Sequence, residues 1–114
     1  MPIYLKRIYD KASSDDGKRI LVDRVWPRGV RKQDARIDEW VKDIAPTTDL
    51  RKWYGHDPSK WEEFRKRYWK ELDEKNHIVS RLKESRDKKI TFIFASKEEK
   101  LNNATALKEY VEKH

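Results

Sequence analysis

A chain of 114 residues has the length of one domain, with room for a core but not for a separate regulatory module. Charged residues make up 43% and hydrophobic residues 36%, yet five Trp, five Tyr and three Phe stand at regular spacings, which argues for a packed fold over disorder. The net charge of +7 is compatible with anionic partners; the absence of cysteine excludes disulfides, thiolate nucleophiles and cysteine-type zinc sites; and without an h-region in residues 1–20 or any apolar run of membrane-span length, a soluble, cytoplasmic protein with no membrane partner is expected.

Ile3 to Tyr9 reads as a first strand, with Ile3, Leu5 and Tyr9 on one side and Tyr4 and Ile8 on the other. Residues 10–18 form a polar connection, short for a parallel crossover. It leaves two arrangements open: antiparallel strands, or parallel strands joined through one helical turn from Ser13 to Lys18. A second strand starts near Ile20. Period-two alternation places Ile20, Val22, Arg24 and Trp26 on one face and Leu21, Asp23 and Val25 on the other, and Pro27 stops it.

Asp34 can cap a helix in which Ile37, Trp40, Val41 and Ile44 fall at i, i+3, i+4 and i+7, with Pro46 ending it. Thr48 caps a brief turn from Asp49 to Tyr54, closed by Gly55 as a left-handed cap. Asp57 and Pro58 open a long helix whose stripe of Trp61, Phe64, Tyr68 and Leu72 has the spacing of core residues rather than of a base-stacking platform. The same segment interleaves its charges, Glu62 with Lys66 and Glu63 with Arg67, as on a solvated helix face. Ile78, Val79 and Leu82 indicate a further helix to about Arg86. Ile90 to Ala95, a continuous apolar run, is expected to be the central strand, buried on both faces. Asn102 or Asn103 can cap the last helix, with Ala104, Leu107 and Val111 pointing inward. The order of elements predicts an α/β fold: a single domain over residues 1–114, built on a small, mainly parallel three-stranded sheet packed with helices.

Ligands of open α/β sheets bind outside the carboxyl ends of the strands. Three such ends would converge here: Tyr9 and Asp10, then Arg24 to Gly29, then Ser96 and Lys97. Arginine presents a planar fork of donors suited to carboxylate or phosphate, so Arg24 and Arg28 could grip an anion; an ion pair with Asp23, Asp10 or Asp57 is the competing reading. Asp23 is the best candidate for a buried carboxylate, either as a general base or as a partner of Arg7 or Arg24. A second constellation, Trp53-Tyr54-Gly55-His56-Asp57-Pro58, brings an imidazole and a carboxylate to a helix start. Capping accounts for Asp57, and a stapling contact with Trp61 competes with catalysis at His56. His77 and His114 stand in exposed contexts. His56-Asp57 lacks a third spaced ligand, so no metal is expected. Ser96, His56 and Asp23 could be drawn as a triad, although nothing in their spacing requires it. There is no GxGxxG, Walker-type loop, HExxH, CxxC or GxSxG, and no cofactor is expected.

The strings Lys6-Arg7-Ile8-Tyr9-Asp10, Leu21-Val22-Asp23-Arg24-Val25-Trp26-Pro27-Arg28-Gly29 and Leu50-Arg51-Lys52-Trp53-Tyr54-Gly55-His56-Asp57-Pro58, with Trp40, Ala45-Pro46 and Trp61, resemble the YeaO-like proteins, part of domain of unknown function 488. The resemblance runs nearly end to end. It implies a small α/β fold and no established activity. Some relatives carry Asn-His where this chain has Asn102-Asn103, which argues against histidine chemistry at position 103. Longer relatives carry a Cys-His-Arg motif that is missing here, so neither a thiol mechanism nor a rhodanese-like sulfur transfer can be carried over.

Together these residues suggest a domain that binds an anionic small molecule, such as a nucleotide or phosphate ester, at the strand ends. His56 and Asp23 are the catalytic candidates should it be an enzyme, and Arg7, Arg24, Trp26, Arg28, Asp57 and Ser96 the ligand-binding ones. A nucleic-acid-binding module using the basic face of the long helix with Lys6, Arg7 and Arg31 is one alternative. A partner-binding subunit with an exposed tryptophan patch is another.

Overall fold

In the computed structural model, which describes residues 3–84 and 88–113, four strands form one sheet. They are β1 (Ile3–Arg7), β2 (Lys18–Leu21), β3 (Glu39–Trp40) and β4 (Ile90–Phe94), in the order β1-β4-β2-β3, and all three neighbouring pairs are parallel. The α/β class and central β4 are as expected, but the sheet has four strands rather than three. The parallel alternative holds for β1 and β2, which lie on either side of β4 and are joined through a single turn of 3-10 helix, Ser14–Asp16.

The fourth strand comes from the segment read as a helix. Lys32–Ala35 makes a single turn, α1, which Arg36 ends in the left-handed region at φ 52°. Asp34 lies inside that turn, and the residue before it, Arg31, makes no side-chain cap. The chain then runs extended along β2: Asp38 N–H donates to Arg19 O at 2.9 Å and Val41 N–H to Leu21 O at 3.0 Å. Its apolar residues serve two cores, which a single helical stripe could not do. Ile37 and Trp40 pack on one face of the sheet, Val41 and Ile44 on the other.

The larger core lies under α2 (Thr48–Tyr54), α3 (Trp61–Asp73), α4 (Asn76–Glu84) and α5 (Asn103–Lys113). The α3 stripe of Trp61, Phe64, Tyr68 and Leu72 is buried there, as its spacing predicts. Tyr68 is wholly buried because its hydroxyl has a partner, donating to Ile44 O at 2.7 Å. The smaller core, on the opposite face, gathers Ile8, Leu21, Ala35 and Ile93 with Trp26 and Trp40. β4 feeds both, Phe92 and Phe94 on one side and Ile93 on the other.

Element ends follow local chemistry. Thr47, not Thr48, caps α2; its hydroxyl accepts from Leu50 N–H, and Gly55 closes the helix in the left-handed region as expected. Asp57 caps the short turn Pro58–Lys60 that leads into α3. Asn102 caps α5, its Oδ1 accepting from Thr105 N–H at 2.9 Å. On α3, Glu63 pairs with Arg67 as expected, whereas Glu62 takes Arg65 rather than Lys66. The expected end of α4 near Arg86, and His114, lie outside the described residues. Among the described residues, no helix is long and apolar enough to cross a membrane.

Candidate functional site

β2 was expected to run to Trp26, but its regular part ends at Leu21, and the reason lies at Asp23. Val22 N–H still reaches Ile93 O at 3.1 Å. At the next step it is the carboxylate of Asp23, not a backbone carbonyl, that accepts the Ala95 N–H at 2.9 Å. A side chain thus completes the ladder, and the backbone peels away from β4. Alternation fails beyond this point: Trp26 packs with Leu21, not with Ile20.

Where the chain parts, a cavity of about 260 Å³ opens at the carboxyl ends of β2 and β4, the position expected for a ligand in a parallel sheet. Asp23, Arg24, His56 and Ser96 line it, four of the eight residues singled out in the sequence. Arg51, Tyr54, Phe64, Asn102 and Asn103 join them. Arg51 and Asn103 carried little sequence signal. Arg51 stands on α2 inside a motif whose conspicuous residues are aromatic, and Asn103 reads as an alternative cap.

Asp23 is held from two sides. Asn103 Nδ2 donates to its Oδ1 at 3.1 Å and also to Val22 O at 3.3 Å, while Ala95 N–H holds Oδ2. Burial pushes the Asp23 carboxyl above the ordinary aspartate range, and those two hydrogen bonds and the charge of Arg51 offset the rise only in part. Neither Arg7 nor Arg24 is its partner. Arg24 donates through Nε and Nη2 to the carbonyls of Pro46 and Ala45, at 3.3 and 3.1 Å, which leaves Nη1 with no protein partner among the described residues. Arg51 is exposed, and its guanidinium makes no hydrogen bond or ion pair among the described residues.

His56 sits at the rim, with φ at 58°, a left-handed backbone that is costly for a residue with a Cβ. Its ring lies 6.2 Å from that of Tyr54, which itself takes the contact with Trp61 expected of His56. Ser96 Oγ accepts from Glu98 N–H, and no described hydrogen bond joins His56 to Ser96 or Asp23. The triad that could be drawn from the sequence is therefore not wired as one.

The other four expected residues lie outside the cavity lining. Arg7 ties the end of β1 to that of β4, donating to Ser96 O at 2.8 Å and Ala95 O at 3.4 Å. Trp26 packs edge-on against Trp40 with centroids 5.4 Å apart, and its Nε1–H donates to Val30 O. Arg28 is exposed, its carbonyl accepting from Tyr9 OH. Asp57 is occupied with Ser59 N–H and Oγ–H, which hold its carboxyl below the ordinary range.

Comparison with known proteins agrees with the motifs. Residues 2–114 match a family profile described as "Inactive DUF488-N3 subclade". The uncharacterised protein YeaO of Escherichia coli (strain K12) is 39% identical over 112 residues, 97% of each chain. An uncharacterised protein of Mycobacterium tuberculosis is 49% identical over 70 residues, 61% of this chain. That match spans 59% of the mycobacterial relative's own length. No solved structure matches. The chain belongs to the inactive DUF488-N3 subclade and is a relative of YeaO, the family to which the strings at residues 21–29 and 50–58 point.

Proposed function

We propose that the cavity at the ends of β2 and β4 binds an anionic small molecule, carrying phosphate or carboxylate, without turning it over. The observation that carries this reading is the pair of guanidiniums at one cavity, Arg24 and Arg51, with donors that no described protein group takes up. Guanidinium forks match the geometry of both anions. The start of α5, which supplies Asn102 and Asn103 to the lining, adds the favourable end of a helix dipole. The unlinked His56, Ser96 and Asp23, and the subclade's description as inactive, speak for binding rather than catalysis.

The cavity volume lies at or below the low end of the usual range for small-molecule sites, about 300–1,000 Å³. It suits a compact ligand better than a nucleic-acid strand. The basic face of α3 lends the nucleic-acid reading little support, because Arg65 and Arg67 are engaged with Glu62, Glu109 and Glu63. An exposed tryptophan patch is missing too: every tryptophan is buried or half-buried.

The test is thermal unfolding of the wild type and Arg51→Ala with inorganic phosphate, simple phosphate esters, carboxylates and short oligonucleotides, all compared at one low and at one moderate ionic strength. Arg51 is exposed and its guanidinium makes no hydrogen bond or ion pair among the described residues, so the Arg51→Ala variant should keep the fold. A ligand at about 100 times its Kd should stabilise the wild type by about 2.7 kcal/mol and the variant far less. Stabilisation by oligonucleotides alone, vanishing with salt, would instead assign the protein to nucleic acid.

A further inference from the structure

Building on the anion-binding reading above, we infer that the ligand is a hydroxylated anion, a polyol phosphate or hydroxy acid, whose charged group meets Arg24 and Arg51 and whose hydroxyl meets the carboxyl of Asp23. The lining is divided by chemistry. Arg24 and Arg51 offer only donors, whereas Asp23 offers acceptor oxygens fixed in place by Asn103 and Ala95 N–H. Each of those oxygens accepts one protein hydrogen bond and keeps capacity for a second. A plain anion would satisfy the guanidiniums and leave Asp23 facing it, carboxylate against anion or acid against solvent. A ligand that also carries a hydroxyl removes that conflict.

A hydroxyl fits better than an ammonium. It can donate to a carboxylate or accept from a carboxylic acid, so it suits Asp23 in either protonation state, and burial favours the neutral one. An ammonium would need the charged form and would bring a cation beside Arg24 and Arg51. The walls add a size limit. Phe64 and Tyr54, stacked with centroids 4.3 Å apart, close one side, and Ala45 and Pro46 are held in place by Arg24. His56 and Ser96 also border a more open hollow with Lys97 and Glu98, which gives a hydroxylated chain somewhere to extend.

The experiment uses two matched pairs of probes, propyl phosphate with glycerol 3-phosphate and butyrate with threonate, titrated calorimetrically into the wild type, Arg51→Ala and Asp23→Ala. In the pair whose anion the site prefers, the hydroxylated member should bind about tenfold more tightly to the wild type, as one added hydrogen bond implies. Asp23→Ala should narrow that ratio below about twofold, whatever it does to the plain anion, because the hydroxyl loses its partner. If Asp23→Ala does not fold, Asp23→Asn takes its place: its single carbonyl oxygen is engaged by Ala95 N–H, so the ratio should fall, and a ratio equal to the wild type's would overturn the assignment to Asp23. Equal binding of both members of a pair, lost in Arg51→Ala, would overturn the hydroxyl assignment and leave the anion site standing. If no probe binds at all, the anion-binding reading fails and this inference fails with it.

Discussion

At Asp23 a side chain takes over a strand's hydrogen bond, and that substitution makes both the cavity and its electrostatics. The carboxyl completes the β4 ladder through Ala95 N–H, so it cannot move out to water without breaking the sheet end. Its desolvation outweighs the help of Asn103, Ala95 N–H and Arg51. An acid whose folded pKa is raised favours the fold most while protonated. That contribution is complete below the ordinary aspartate pKa and is lost as pH rises through the higher folded one. Asp23→Asn keeps a carbonyl for Ala95 and cannot ionise. Its stability relative to wild type should therefore increase as pH rises from about 3 to about 7, read from parallel urea titrations. A difference that stays flat across that range would show that Asp23 titrates as it does in the unfolded chain.

Among the elements, the connection from β1 to β2 holds more of the structure than its polar sequence suggests. Asp16 accepts from Ser13 N–H at 3.0 Å, Lys6 Nζ at 2.8 Å and Arg19 Nη1 at 2.6 Å, and its carbonyl accepts from Thr91 Oγ1 at 2.7 Å. Gly17 follows at φ 64°, where a Cβ would lie 2.3 Å from Lys89 O, so only glycine lets the chain pass the start of β4. Burial pushes the Asp16 carboxyl up, but the hydrogen bonds from Lys6, Ser13 and Arg19 outweigh it and hold the carboxyl below its ordinary value. Its stabilisation is present above the ordinary pKa and is lost as pH falls through the folded one. Arg19, 4% exposed, also donates to Ala35 O and Arg36 O. Asp16→Asn strands that guanidinium without its counter-charge and should cost about 2–4 kcal/mol at pH 7 in denaturant titration, with the deficit shrinking in acid. What the sequence made legible follows from this contrast. The α3 stripe and the β4 run could be read because each repeats one chemistry along one element, and α2 because Gly55 closes it, although its cap is Thr47 rather than the expected Thr48. β3 could not, since Ile37, Trp40, Val41 and Ile44 mimic a helical stripe while facing two cores. Half of the expected site converged through the sheet order. Arg7, Trp26 and Asp57 hydrogen-bond to neighbouring backbone or cap a turn, and the exposed Arg28 stands outside the cavity lining; spacing alone does not separate such residues from those that line it.

Over the whole molecule, 28 basic and 21 acidic residues leave a net charge of +7, so long-range repulsion works against compaction while local pairs work for it. At neutral pH salt weakens both. It screens the repulsion and also exposed pairs such as Arg67–Glu63 and Arg31–Asp34, each worth at most about 1 kcal/mol. In acid the balance changes. Ser59 Oγ–H and N–H hold the Asp57 carboxyl low, and the N–H groups of Lys100 and Leu101 do the same for Glu98, so these two and Asp16 keep their charge as the ordinary carboxylates protonate. Their stabilisation persists above the ordinary range and disappears as pH falls through their folded values. As carboxylates take up protons in acid, the net positive charge climbs. Raising sodium chloride from about 50 mM to about 500 mM should therefore increase Tm clearly at about pH 4 and change it little at about pH 7. Scanning calorimetry at the two pH values reads this directly. Equal salt slopes would mean that local pairing, rather than overall charge, governs the electrostatics of the fold.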